Sequence, residues 1–539
     1  MKNGFFKIAV SLILLTVMIV STALPSFALP ITSQISDNYL YSYLGNAVEA
    51  PLAYKAVKVL GASDLGLERS FQPADLFVRD NLLYIVDKGG NQIVVIDENY
   101  QTVAVISTLK NAPNLYTYIP GKTNSDGSPY QDQEMLSHNK NQFYAPEGIY
   151  VDEEGLIYVA DTQNRRIVCC DIEGNVQSVV QGVDVDVIDD YVFKPVKLVV
   201  DRTGSYQVIA YAVNRGLLEI DDEGNFRSFI GAPPVTYDAS DWFWRVIATD
   251  EQKKQLVKYV PTEYSNINID SRGFIYSTIS TIDGMDLLSA IGSNSVSGAL
   301  APVKKLSPSG SDVLRRTGVF PPVGDLTFSF NSSPQVVDVA VDDESGRYTI
   351  IDARSGRFFT YDPDGNLLYM GGGSATDQNG RFRTANSIAI RGEHIIISDI
   401  GNKSITVYET TEYARLINSA VAANSSGRFD EAAEIWKEIT TFNSTMFIAY
   451  TGLGKAEMRQ AMANYDESRF EHYEQALVYY SKANEKDNYS KAYTELRKEE
   501  LSQNFTLIVL SIIALVVAVI VIYTVRKVRK NNNKKRRAK

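Results

Sequence analysis

The chain has 539 residues, 45% of them hydrophobic and 22% charged, which is ordinary for a globular protein with room for two or three domains. All 64 acidic residues but only 42 of the 53 basic ones lie between residues 29 and 525, a net charge of −22 that argues against nucleic acid as a ligand of that part and reads as a solvated acidic surface. Cysteine is limited to Cys169 and Cys170, whose adjacency in a strand excludes a disulfide framework.

Residues 1–28 read as a signal peptide. Lys2 and Lys7 flank the start of the apolar run "IAVSLILLTVMIV", and the small residues of "PSFALP" place cleavage after Ala28. An uncleaved signal anchor is the alternative. Residues 29–52 then form an N-terminal linker.

From residue 53 to 410 one pattern recurs six times: an apolar strand ending near Asp, a Gly-containing turn, a second strand ending in a polar corner, and a third strand closing on another turn. Its clearest copy is "APEGIYVDEEGLIYVADTQNRRIVCCDIEGN" at 145–175. Aligning the copies puts Ala74, Glu147, Val196, Ser265, Val337 and Asn386 in register, at intervals of 73, 49, 69, 72 and 49 residues. Two intervals match a bare propeller blade and the others hold insertions, near 110–143, 232–260 and 280–303. Six small sheets that cannot bury their faces alone are expected to stack radially into an all-β six-bladed propeller. The last copy lacks an outer strand, and "AYKAVKVLG" (53–61) precedes the first, so this N-terminal strand is expected to complete the last blade.

The motif at 145–167 resembles NHL repeats closely and the other copies to varying degrees. Propellers of the gluconolactonase and regucalcin type, and amidating lyases, are similar in architecture, and the former hold a divalent cation at one channel mouth with carboxylate and amide side chains. That resemblance makes Glu147 and Asn386 the candidate ligands, whereas Ala74, Val196 and Val337 in the same register cannot serve. One step along, Asp75, Asn266 and Asp338 are polar, but strand alternation turns them away from the first set. Calcium takes six to eight oxygens, so two side chains make a poor site unless loops and waters complete it. His138, His394 and His472 show no zinc spacing, and no nucleophile elbow or phosphate loop is present.

The other acids have structural readings. Asp152, Asp201, Asp270 and Asp342 end first strands, where Asp caps turn amides. Asp87, Asp161, Asp352 and Asp399 end second strands, which suits a hydrogen bond repeated in each blade. Cys170 aligns with apolar residues and is expected in the core, while Cys169 aligns with mixed residues and is expected nearer the surface. The 232–260 insertion contains Trp242, Phe243 and Trp244, aromatic residues of the kind enriched at binding hot spots. They serve either recognition or packing back onto the propeller.

Residues 411–500 turn to helical periodicity. Gly427, Phe429, Ala432, Trp436 and Ile439, and then Tyr473, Ala476, Tyr480 and Ala483, resemble the packing positions of tetratricopeptide repeats, with an insertion near "MANYDESRF". Residues 505–525 carry no charge over 21 residues, about 31 Å of helix and enough to span a bilayer. The tail 526–539 holds nine Lys or Arg and no acid, so the positive-inside rule makes the protein single-pass type I in the cell membrane, ectodomain outside and tail cytoplasmic. The favoured function is a membrane-anchored extracytoplasmic binding or scaffold protein that engages other membrane or cell-surface proteins, such as those of a transport or signalling complex. The alternative is a metal-dependent lactonase or hydrolase. No catalytic residue is assigned, and no cofactor is called for beyond a divalent cation such as calcium.

Overall fold

The computed structural model describes residues 38–42, 44–67, 71–185, 188, 191–231, 263–328, 332–375, 378–463 and 468–537. The signal peptide and Trp242, Phe243 and Trp244 lie outside the described residues.

Six antiparallel sheets form the blades. Blade 1 comprises Pro73–Arg79, Leu82–Asp87, Gln92–Ile96 and Thr102–Ile106, and blade 2 comprises Gly148–Val151, Ile157–Asp161, Arg166–Cys170 and Val176–Gln181. Blade 3 comprises Pro195–Val200, Tyr206–Ala210, Leu217–Ile220 and Phe226–Ile230, and blade 4 has the three described strands Asn266–Ile269, Ile275–Thr278 and Val303–Leu306. Blade 5 comprises Val336–Val341, Tyr348–Asp352, Arg357–Tyr361 and Leu367–Gly372. Blade 6 comprises Ala385–Arg391, His394–Asp399 and Ser404–Thr410, and its fourth strand is Tyr54–Leu60 from the N-terminal side, as the unfilled edge implied. Each blade's first strand touches that of the next, and the sixth touches the first, which closes the ring.

Burial follows strand position. The second and third strands of blades 1 and 2 are almost wholly buried because a neighbouring blade covers each face, whereas the outer strand Thr102–Ile106 is mostly exposed. Aromatic side chains fill the seams between blades, with Phe77 against Tyr150 at 5.3 Å, Tyr158 against Tyr206 at 6.0 Å and Tyr276 against Tyr348 at 5.7 Å between ring centroids.

The recurring aspartates hold the corners. Asp87 accepts from the Gln72 and Gly90 amides, Asp161 from the Tyr144 amide, Asp352 from those of Gln335 and Arg354, and Asp399 from those of Arg383, Thr384 and Asn402. Each ties the end of a second strand to the entrance of its own first strand. Asp152, Asp201 and Asp270 instead cap the turn that follows them, each accepting the amides two and four residues on. Cys169 departs from expectation. It is buried, at 3% exposure against 0% for Cys170, because the outer strand Val176–Gln181 and Tyr158 cover it, and both thiols are free.

Residues 29–52 are more than a linker where they are described. Tyr39–Tyr41 pairs with Ala47–Glu49 in a hairpin that packs on blade 5. The Tyr41 hydroxyl donates to Asp325 Oδ1 (2.7 Å) and accepts the Leu326 amide (2.8 Å), while Arg357 pairs with the other Asp325 oxygen at 3.3 Å.

The insertion between blades 1 and 2 contains the hairpin Tyr118–Thr123 and Pro129–Gln131, and the one in blade 4 contains helix α1 (Gly284–Gly292), capped by Asp283. The C-terminal region holds α2 (Glu412–Ser425), α3 (Phe429–Phe442), α4 (Phe447–Ala463), α5 (Ser468–Ala483) and α6 (Lys486–Arg537), each packed on the next. Gly454 of α4 permits its close approach to α5, since a Cβ there would lie 2.6 Å from the Tyr480 ring. Helix α2 shares a core with the propeller: Tyr413, Ala414 and Ile417 pack with Tyr54, Phe358, Tyr369 and Tyr408. Helix α6 runs unbroken for 52 residues, is long and apolar enough to cross a membrane, and no part of its apolar stretch is covered by the rest of the molecule.

Candidate functional site

In an antiparallel four-stranded blade, the connections after the second and fourth strands lie at one end and those after the first and third at the other. The 110–143 and 280–303 insertions therefore share one end of the propeller, here the mouth. The helical region meets the opposite end, where Ser425 Oγ donates to the Ser345 carbonyl in the first turn of blade 5 (3.0 Å).

A β-bulge marks the first strand of blades 1, 3, 5 and 6 at the same place, between Pro73 and Asp75, Pro195 and Lys197, Val336 and Asp338, and Ala385 and Ser387. The skipped residues are Ala74, Val196, Val337 and Asn386, members of the register that contains Glu147. This set sits at the mouth. Glu147 receives an ion pair from Lys88 Nζ (2.5 Å) and hydrogen bonds from the Tyr211 hydroxyl (3.2 and 3.0 Å), joining blades 1, 2 and 3. Burial pushes the Tyr211 phenol up to about 12, and the Glu147 charge adds to the rise. Asn386 lies elsewhere on the ring. Its Nδ2 donates to the Pro73 (2.9 Å) and Ala74 (2.7 Å) carbonyls of blade 1, and its Oδ1 accepts the Ile400 amide (2.9 Å). Glu147 and Asn386 share no hydrogen-bond partner.

The next register position, Asp75, Gly148, Lys197, Asn266, Asp338 and Ser387, forms a second set that is buried, where the first strands of all six blades converge. Lys197 Nζ pairs with Asp75 Oδ2, which also accepts the Ile149 amide (2.9 Å). Ser387 Oγ lies 3.0 Å from Asp75 Oδ1 and 2.7 Å from Asp338 Oδ2, and accepts the Leu76 amide at 3.1 Å. Gly148 makes room for Lys197, since a Cβ there would lie 2.3 Å from the Val196 carbonyl oxygen and 2.9 Å from Lys197 Cα. Burial pushes the Asp338 carboxyl up to about 7; Lys197 opposes the rise and Asp75 adds to it. Asp75, Asn266 and Asp338 were visible in the sequence as polar interruptions of apolar strands. Lys197 and Ser387 carried the same signal and escaped notice, because a lysine or serine alone does not suggest a ligand.

The mouth also carries exposed tyrosines. Tyr116, Tyr118 and Tyr130 of the 110–143 insertion, with Tyr144 and Tyr211, are 37–50% exposed. Tyr116 and Tyr118 meet edge to face at 6.0 Å, and Lys122 Nζ lies 4.4 Å from the Tyr130 ring centre. The insertion is held to blade 2 by Arg166, whose Nη2 donates to the Lys140 (2.9 Å) and Gln142 (3.1 Å) carbonyls while its Nε pairs with Asp161 at 2.8 Å. His138 reaches Asn164 Oδ1 through Nδ1 (3.1 Å) and His472 reaches Glu457 in the helical region (2.7 Å). Among the described residues, the acids close enough to share one ion are Asp221, Asp222 and Glu223, on a turn of blade 3 away from both sets.

Residues 143–170 match the NHL repeat. NHL repeat-containing protein 2 of Gallus gallus is 30% identical over 104 residues, which are 19% of this chain and only 13% of that relative. A catalytically inactive virginiamycin B lyase from Staphylococcus aureus with quinupristin is 10% identical, covering 66% of this chain and 99% of its own, at a TM-score of 0.37. Kuenenia stuttgartiensis hydrazine synthase is likewise 10% identical, covering 64% of this chain and 97% of its own, at a TM-score of 0.34. The chain thus carries an NHL repeat within a six-bladed β-propeller, followed by a helical region with one long apolar helix.

Proposed function

We propose that this is a membrane-anchored extracytoplasmic binding or scaffold protein that recognises a partner protein through the propeller mouth, within a membrane transport or signalling assembly. The carrying observation is the cluster of half-exposed tyrosines on an insertion fixed to a rigid blade. Tyrosine supplies large contact area with little conformational entropy to lose, and loops on a rigid scaffold commonly carry recognition. The occurrence of an NHL repeat supports this reading, since such propellers generally mediate protein interactions. Trp242, Phe243 and Trp244 join the proposal as further anchors. Helices α2 and α3, then α4 and α5, are read as two tetratricopeptide-like pairs, a reading supported by the burial of Ala432, Trp436, Ile439, Tyr473, Ala476, Tyr480 and Ala483.

The hydrolase alternative draws less support. Its candidate ligands are already engaged, Glu147 by Lys88 and Tyr211 and Asn386 by the blade 6 to blade 1 junction, and the polar axis is supplied with a cation by Lys197.

Proximity labelling from the propeller in intact membranes, followed by capture after gentle solubilisation, tests the binding role. The expected result is a specific membrane protein recovered with the wild-type chain and reduced at least about tenfold by Tyr116→Ser/Tyr118→Ser, since truncating hot-spot aromatics costs on the order of 2 kcal/mol or more. An identical set of proteins from wild type and variant would refute it. For topology, a cysteine introduced at Ser128 is expected to react with an impermeant maleimide on intact cells and one at Asn531 only after permeabilisation. The native thiols, both buried, leave a low background. The reverse pattern would overturn the type I assignment.

A further inference from the structure

We propose that the propeller axis binds one proton at neutral pH, held on Asp338 between blades 5 and 6, and that this proton makes closure of the ring sensitive to pH. The proposal does not rest on the binding role above.

Ser387 Oγ carries one hydrogen, yet it lies within hydrogen-bond distance of two carboxylate oxygens, Asp75 Oδ1 at 3.0 Å and Asp338 Oδ2 at 2.7 Å. Of its two lone pairs one accepts the Leu76 amide at 3.1 Å, leaving one free for a further donor. If the hydroxyl donates to one carboxylate, the other contact sets lone pairs against lone pairs unless that oxygen carries a proton of its own. Both contacts are satisfied only with one additional proton in the group.

Charge gives the same count. Asp75, Lys197, Asp338 and Ser387 are each no more than 6% exposed, so two carboxylates share one ammonium away from water. Facing Asp338 across the axis are Asp75 from blade 1 and Lys197 from blade 3; blade 2 contributes Gly148, blade 4 Asn266 and blade 6 Ser387, none of them charged. The sum is one uncompensated negative charge, costly in a low-dielectric interior. One proton cancels it.

The partners decide which carboxyl takes the proton. Asp75 has the Lys197 ammonium and the Ile149 amide at 2.9 Å as donors. Among the described residues, Asp338 has the Ser387 hydroxyl at 2.7 Å and the amides of Ile388 at 2.8 Å and Val339 at 2.7 Å, and no cation at hydrogen-bond distance. With the proton on Oδ2, Asp338 donates to Ser387, and Ser387 donates onward to Asp75. The chain runs from blade 5 through blade 6 to blade 1, and Lys197 extends it to blade 3.

The sign of the pH effect follows. An aspartate protonated in the folded state but ionised in the unfolded chain binds more protons when folded. Its contribution to stability is greatest below the unfolded value near 4 and is lost as pH rises through the folded value. Asp338→Asn keeps a neutral group of the same shape and removes the titration.

Thermal melts of the full-length chain in detergent, from pH 5 to pH 8, provide one test. The wild-type Tm is expected to fall by roughly 2–5 °C relative to Asp338→Asn over that range. Parallel curves would overturn the proposal. Infrared difference spectra supply a readout that does not depend on stability. In an Asp362→Asn background, chosen because burial pushes Asp362 up to about 6, a protonated-carboxyl band is expected at pH 6. It should shift in frequency in Ser387→Ala, which removes the acceptor of the Asp338 proton. No such band, or a band unmoved by Ser387→Ala, would refute the assignment even if Asp338→Asn failed to fold.

Discussion

Arg166→Met is expected to destabilise the propeller by about 3–5 kcal/mol, the usual cost of leaving one member of a buried ion pair unpaired. Arg166 and Asp161 are both fully buried, and the guanidinium also holds two carbonyls of the 110–143 insertion. Burial already pushes the Asp161 carboxyl up, with Arg166, the Tyr144 amide and Asn164 opposing the rise. Without the arginine that carboxyl rises further, so the variant is expected to lose more stability at pH 8 than at pH 5. Asp161→Asn/Arg166→Met should recover part of the loss, because the stranded charge is gone. Denaturant melts of the wild type, Arg166→Met and the double variant at both pH values measure this. If the double variant is as unstable as Arg166→Met, the cost lies in the carbonyl contacts and not in the charge.

Removal of the N-terminal strand is expected to have the largest effect of all. A chain beginning at residue 61 lacks Tyr54–Leu60, and with it the fourth strand of blade 6, the buried Ala53, Tyr54 and Leu60, and the carbonyls of Leu52 and Ala53 that accept from the Thr411 hydroxyl at 2.6 and 3.0 Å. Burying side chains of this size is worth about 1.5–3 kcal/mol each, and the whole stability of a domain is on the order of 5–15 kcal/mol. The truncated chain is therefore expected to lose its cooperative thermal transition and become protease-sensitive. A chain beginning at residue 50, which loses the Tyr39–Glu49 hairpin but retains Tyr54–Leu60, should keep both. Equal melting of the two truncations would show that the strand does not close the ring.

Much of this architecture was legible because each blade repeats the same physical problem. In four of the six blades an aspartate at the end of the second strand satisfies the amides at the entrance to its own blade, which is why Asp87, Asp161, Asp352 and Asp399 recur. The edge left open after Ser404–Thr410 announced its partner because an unpaired strand edge must be covered. Other residues resisted reading. Cys169 reads as intermediate because its aligned positions mix charged residues such as Glu219 and Lys305 with apolar ones, yet its burial depends on Tyr158 and the outer strand of its own blade. The hairpin at Tyr39 shows too little periodicity to stand out, and its place is set by Asp325, far along the chain.

The axis marks the boundary between the two kinds of information. The repeat, the number of blades, the closing strand and the apolar helix are legible in the chain alone, because they follow from local periodicity and from the need to cover apolar faces and strand edges. That Asp75, Lys197, Asp338 and Ser387 meet, and that Glu147 and Asn386 are each held by different partners, depends on the closed ring. A one-residue bulge at the start of the first strand resets which side chains turn toward the mouth and which toward the axis. The closed ring then brings residues more than 300 positions apart within hydrogen-bond distance.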